Sequence, residues 1–203
     1  MTNSAPLPSF LLLSRSPRRR ELLQKAGFHF ELVDNAWPEE GLLGESALKR
    51  VKRLSAGKLL NYLTQVPQPQ LPVLSADTLL EFRGKPLEKP DNEAEAWHWY
   101  QLLAGRSHRV LTALTLWNPH RCQWFQEVEA TKVEFVPWDK ELYANYLAQG
   151  EWHDAAGGYK IQEGGERLVK RISGSWSNVV GLPIARFYGM LRQCLGSGLS
   201  STR

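Results

Sequence analysis

Along the chain, apolar residues first gather at Phe10 to Leu13, "FLLL", and then give way to serine, arginine and proline ahead of a helical pattern. A short apolar run stopped by turn chemistry predicts a buried strand. Ser16 fits the cap of the next helix, Pro17 its first position, where a missing N–H costs nothing, and Gly27 its stop. "FHFELVD" returns to a strand pattern. In "ESALKRVKRLSAGKLLNYL" the residues Ala47, Val51, Leu54 and Lys58 fall at helical spacing. The prolines of Pro67 to Pro72 mark a surface loop, from which "VLSADTLLEF" emerges as a second buried strand.

Beyond a turn at "RGK", the segment "PLEKP" reads as an extended link into the helix "DNEAEAWHWYQLLAG", with Asp91 as its cap and Gly105 as its stop. "HRVLTALTLWNP" and "CQWFQEVEATKVEFVP" predict two long antiparallel strands joined by a turn at Asn118 to Arg121. "WDKELYANYLAQG" is a short helix closed by Gly150. A glycine-rich loop, "AAGGYKIQEGG", then leads to the strand "RLVKRISG" and the last helix, "GLPIARFYGMLRQCL". Strands and helices interleave without a repeat, which predicts a mixed α/β sheet. The 203 residues fit one domain, or one core in two lobes, with an ordered core over about 8–195 and the loop Pro67 to Pro72 as a candidate hinge.

Composition narrows the class. With 42% hydrophobic and 23% charged residues the chain is an ordinary globular one rather than a disordered one. A net charge of +4 tilts the field toward anionic partners without pointing to nucleic acid. The N-terminal apolar run is short and its arginines follow it, the reverse of a secretory signal, and no segment approaches the roughly 20 apolar residues of a membrane span. Cys122 and Cys194 lie far apart and form no metal-ligand spacing with each other or with the five histidines, so they read as reduced thiols of a cytoplasmic protein.

Three features carry candidate chemistry. Arg18, Arg19 and Arg20 occupy the first turn of a helix whose dipole favours anions there, and arginines at such an end can close on phosphate oxygens in a bidentate way. The same run is also compatible with a solvated basic helix start in which Arg19 or Arg20 bonds Glu21 or Glu39. With "KRVKR" at Lys49 to Arg53, it is compatible with a nucleic-acid patch too. Asp77, near the end of an apolar strand, is costly there if buried unpaired; it suits metal binding or water activation, or a turn cap shared with Thr78. Lys89 is directed by Pro90, while Glu39 and Glu40 follow a strand and a proline toward the same junction. Acids, lysine and arginine from separated segments are what a metal-assisted attack on phosphate needs. In the glycine-rich loop, Tyr159 offers a stacking face and Gln162 an amide able to read a base edge, unless the loop is simply a hairpin.

Taken together, "LLLSRSPRRRELLQKAGFHFELV", "RLSAGK", "SADTLL", "LEKP", "LLAGRSHRVLTAL", "AAGGYKIQ" and "RISGSWSNVVGLPI" resemble the Maf family of nucleoside triphosphate pyrophosphatases, also described as septum-formation inhibitors. The resemblance implies an elongated mixed sheet with flanking helices and two lobes around a central cleft. It implies hydrolysis of a nucleoside triphosphate between its α and β phosphates with Mg²⁺ or Mn²⁺. By position, Asp77 would be the proton acceptor, Ser14, Arg18, Arg19, Lys58 and Lys89 would hold phosphates, and Glu39 would help Asp77 with the metal. "ADT" resembles the branch acting on dTTP and UTP, with Arg18, Thr78 and Gln162 at its specificity positions, whereas the 7-methyl-GTP branch reads "SDQ". A homodimer is also implied. The chain departs from the family's "GADT" at Ser75 and from its "DKAGAYGIQG" at Ala155, Gly158 and Lys160. Two other readings stand beside this one: a pyrophosphatase for 7-methyl-GTP or another modified nucleotide, and, on the altered glycine-rich loop and the two basic runs, a nucleotide- or nucleic-acid-binding regulator of septation without catalysis.

Overall fold

The computed structural model describes residues 9–35, 37–38 and 40–195. Its strands are β1 (Phe10–Leu13), β2 (Phe30–Leu32), β3 (Val73–Phe82), β4 (Lys85–Leu87), β5 (Ser107–Asn118), β6 (Gln123–Phe135) and β7 (Val169–Ser173). Its helices are α1 (Pro17–Lys25), α2 (Ala47–Gln65), α3 (Glu93–Leu103), α4 (Lys140–Leu147), α5 (Trp176–Val180) and α6 (Ile184–Cys194). The strands form one seven-stranded sheet in the order β2-β1-β3-β5-β6-β7, with β4 also paired to β3. β1 runs parallel to β2 and β3, and the other pairings are antiparallel, so the sheet is mixed as expected.

Local chemistry starts the helices where the sequence places them, with two exceptions. Ser16 accepts from the Arg19 amide at the head of α1, and Pro17 sits just inside it. The cap of α3 is Asn92 rather than Asp91: its side chain accepts from the Glu95 amide at 3.0 Å while the Glu95 carboxylate accepts from the Asp91 amide at 2.8 Å. Between β7 and the last helix lies α5, an extra turn that the apolar periodicity did not reveal, capped by Ser175 through the Asn178 amide. β7 begins at Val169 because Gly164–Leu168 coils into a 3₁₀ turn ahead of it.

Side chains alternate across β3 and β5, and the two faces are covered differently. On one face α2 lies along the sheet, packing Ala47 and Val51 on Leu79, Leu111 and Ala113, and Leu59 on Val73 and Trp117. The other face carries two cores side by side. At one end α1 and α6 cover Leu74, Ala76, Leu114 and Leu116; at the other α3 and α4 cover Leu80 and Val110 with the buried rings of Tyr100, Tyr143 and Tyr146. Each large apolar side chain so buried contributes about 1.5–3 kcal/mol. Between the two cores the alternation brings up Thr78 and its β5 partner Thr112, joined at 3.0 Å, and Asn178 closes over them from α5. This polar seam separates the two cores.

Candidate active site

One edge of β3 is paired with β5 from Val73 to Glu81. The other edge is shared: β1 takes it as far as Ser75 and β4 takes it again from Leu80. Ala76 to Leu79 are thus left without a strand on that side, and Asp77 stands in the gap, mid-strand rather than near the strand end as its sequence setting suggested. The gap lies just beyond the C-terminal end of parallel strand β1, the place in α/β sheets where ligands find a crevice.

Two rungs join α2 to β3 at this gap. Ser55 and Lys58 share a helix face, and Ser75 and Asp77 share a strand face. In the lower rung the Ser75 hydroxyl donates to the Ser55 carbonyl at 2.8 Å, and Ser55 Oγ lies 2.7 Å from Thr115 Oγ1. In the upper rung Lys58 Nζ donates to Asp77 Oδ1 at 2.7 Å. Asp77 is 5% exposed and Lys58 8%. Desolvating two charges costs several kcal/mol per ion before their attraction offsets it, so packing alone does not account for the pair.

Arg19 fills the rest of the gap, 9% exposed. Its guanidinium donates to the carbonyls of Ala76 at 2.8 Å and Gly181 at 2.9 Å, to Thr78 Oγ1 at 3.0 Å and to Ser14 Oγ at 3.4 Å. It thereby satisfies a β3 carbonyl that β1 leaves unpaired and ties α1 to the turn after α5. Gly181 has φ +128°, a conformation that favours glycine, and Thr78 Oγ1 also lies 3.1 Å from the same carbonyl. The Thr78 hydroxyl, placed among Arg19, Thr112 and Gly181, is fully occupied by protein groups. Ser14 Oγ accepts from the Ser16 amide and from Arg19, which leaves its own proton to donate into the cleft.

Opposite this wall, the loop after α4 closes the cleft. Arg18 donates to the Asp154 carbonyl at 3.0 Å, and Lys89 Nζ lies 3.9 Å from the Asp154 carboxylate. The loop is docked on the β4 to α3 link by the Gly157 amide, which donates to the Glu88 carbonyl at 3.1 Å. Gly157 has φ +69°, and a Cβ there would fall 2.3 Å from Leu80 Cδ1, so the approach requires glycine. The cleft has a volume of about 710 Å³. Its walls hold Ser14, Arg18, Arg19, Lys58, Asp77, Thr78, Lys89 and Gln162, drawn from five separate segments of the chain. Glu39 lies outside the described residues. Sequence reasoning missed Asn35 and Trp37, which also line the cleft. Asn35 donates to the Lys58 carbonyl, and the Trp37 ring lies against α2 where Gly57 leaves room, a Cβ there falling 2.5 Å from the ring. Their signal was position: both follow β2, whose end is parallel to that of β1.

Residues 9–194 match the family model of the Maf-like proteins. The chain belongs to the Maf family. Among curated Maf relatives, the dTTP/UTP pyrophosphatase of Salmonella typhimurium is 39% identical over 185 residues, covering 91% of this chain and 92% of that protein. Those of Carboxydothermus hydrogenoformans and Methylobacillus flagellatus are 37% and 36% identical, covering 90% of this chain in each case and 96% and 91% of those proteins. Of solved structures, protein VC0702 from Vibrio cholerae aligns at 10% identity and TM-score 0.31 over 72% of each chain, too slight a likeness to inform the fold. Ser75, where the Maf pattern has glycine, is accounted for by its bond to Ser55.

The cleft's described carboxylates are those of Asp77 and Asp154, and no group of three or more His, Cys, Asp or Glu gathers among the described residues. Mg²⁺ commonly takes one or two carboxylates and completes its shell with substrate phosphates and water. One buried carboxylate ringed by lysines and arginines fits a cation of that kind, shared with a polyphosphate. Among the described residues no helix is long and apolar enough to cross a membrane.

Proposed function

We propose that this protein hydrolyses dTTP and UTP between the α and β phosphates, releasing the nucleoside monophosphate and pyrophosphate. The observation that carries the reading is the buried Lys58 and Asp77 pair set in the unpaired stretch of β3, facing a cleft walled by Arg18, Lys89 and the head of α1. The names of the curated relatives support the same substrates.

Asp77 is the general base. Lys58 holds Oδ1 and so fixes the rotation of the carboxylate, while its other oxygen takes the proton of the attacking water. Arg18 and Lys89 neutralise charge on the departing pyrophosphate. The Ser14 hydroxyl and the amide of Arg18, next to the Ser16-capped amide of Arg19 in a first turn of α1 that holds no acidic residue, receive phosphate oxygens. Arg19 and Thr78 act on the wall: they hold β3, α1 and the Gly181 turn in register. A Mg²⁺ or Mn²⁺ ion shared by Asp77, the substrate phosphates and Glu39 would supply charge neutralisation at the reacting phosphorus. The same description implies a cytoplasmic enzyme that removes pyrimidine nucleotides. Pyrophosphate release from dTTP, UTP, CTP and 7-methyl-GTP with Mn²⁺ tests it. Release from dTTP and UTP that disappears in Asp77→Asn is expected; a folded protein that releases none from any nucleotide is a binder, and release confined to 7-methyl-GTP moves it to the other branch.

A further inference from the structure

The loop that closes the cleft is built with an alternation of its own. Tyr159 and Ile161 are buried in the lobe of α3 and α4, while Lys160 and Gln162 are half-buried at the cavity wall. The backbone between them is pinned: the Lys160 amide donates to Tyr146 Oη at 3.0 Å, and Tyr159 Oη lies 2.8 Å from His108 Nε2. Gly165 is packed so closely on Lys160 that a Cβ there would fall 2.6 Å from the Lys160 carbonyl oxygen. Lys160 therefore does not hang from a loose loop.

One carboxylate lies beside both side chains. Glu163 Oε1 accepts from Gln162 Nε2 at 3.2 Å, and Glu163 Oε2 is 3.8 Å from Lys160 Nζ. A carboxylate only accepts, so the Gln162 group facing it must be the NH₂, which leaves the Gln162 carbonyl as its uncommitted acceptor. Lys160 Nζ only donates. The wall thus presents a cationic donor and an oriented acceptor two residues apart. A uracil or thymine edge offers the complement: carbonyl oxygens flank an N3–H. Cytosine reverses two of these positions, with an acceptor at N3 and a donor at C4.

We propose that Lys160 is a base-reading residue that donates to the C4 carbonyl of the pyrimidine while Gln162 accepts from its N3–H, with Glu163 as the positioning residue for both. This rests on the dTTP and UTP reading above. It gives the lysine at this departure from the family pattern a role in specificity rather than in holding phosphate.

The test compares kcat/KM for UTP, dTTP and CTP in the wild type, Lys160→Met and Glu163→Gln, with melting temperature as a check on folding. A hydrogen bond from a charged donor is worth about 1.5–3 kcal/mol, so Lys160→Met should lower kcat/KM for UTP and dTTP by roughly 10- to 100-fold and leave CTP within about 3-fold. Glu163→Gln frees the Gln162 amide to turn and should raise CTP turnover relative to UTP. A uniform loss on all three substrates in Lys160→Met would assign the ammonium to the phosphates and overturn the proposal, as would unchanged kinetics in both variants. A wild type that turns over neither UTP nor dTTP defeats the activity reading itself, which separates that failure from this one.

Discussion

Arg18 and Arg19 are neighbours in sequence with opposite surroundings, and their replacement by alanine should separate accordingly. Arg19→Ala strips a charged donor from the carbonyls of Ala76 and Gly181, both buried in the seam, and loses contacts to Ser14 and Thr78. A buried carbonyl left unsatisfied costs about 1–3 kcal/mol, and water from the adjoining cleft will reach the two hydroxyls, so the net loss should be about 3 kcal/mol. For a chain of 203 residues this lowers the melting temperature by about 6–12 °C. Arg18, whose described bond is to the exposed Asp154 carbonyl, should leave the melting temperature within about 2 °C of wild type when replaced, because surface changes usually fall within about 0.5 kcal/mol. Its kcat/KM for UTP should fall about 10- to 100-fold, the loss of a charged hydrogen bond to phosphate. The assay is paired: thermal unfolding by circular dichroism and pyrophosphate release on the same preparations. An Arg19→Ala protein with wild-type melting and a collapsed kcat/KM would refute the reasoning, since the guanidinium would then belong to the substrate and not to the wall.

Other consequences follow from the same contacts. Ser75→Gly removes the lower rung between β3 and α2, and with it a hydrogen bond worth about 1 kcal/mol; both melting temperature and kcat should fall, while Thr115→Val tests the same bracket from β5. Lys89→Ala, on an exposed side chain, should lower kcat with little change in melting temperature, and a loss confined to stability would remove it from the site. Burial pushes the His108 imidazole down to about 3, whereas an unfolded histidine titrates near 6.5. The folded state therefore binds fewer protons between those values, and stability, full above about pH 6.5, should decline by about 1.4 kcal/mol per pH unit as pH falls toward 3. Urea midpoints measured against pH should show that slope in wild type and less of it in His108→Gln; equal slopes would place the titration elsewhere.

Much of this fold is written in local pattern. Ser16, Pro17 and the apolar run before them define β1 and α1, and the spacing of Ala47, Val51, Leu54 and Lys58 matches the buried face of α2. The long β5 and β6 hairpin follows from alternation and from Asn118, whose side chain accepts from the amides of His120 and Arg121 to close the turn. What escaped was tertiary. The five-residue helix α5 is too short for a periodic signal, and its purpose is to set Asn178 and the turn at Gly181 over the seam. The candidate site was legible as a set of residue types, but their division of labour was not. Arg19 meets Gly181 across 162 positions of sequence, and no motif announces that contact. Nor does the sequence show that Asp77 stands where β1 and β4 leave β3 uncovered, which depends on two strand registers at once.

The most direct test of the central claim is phosphorus NMR of UTP incubated with the protein and Mn²⁺ removed before acquisition, run beside Asp77→Asn. UMP and pyrophosphate in equal amounts are expected from wild type and neither from the variant. UDP with orthophosphate, or unchanged turnover in the folded variant, would contradict it.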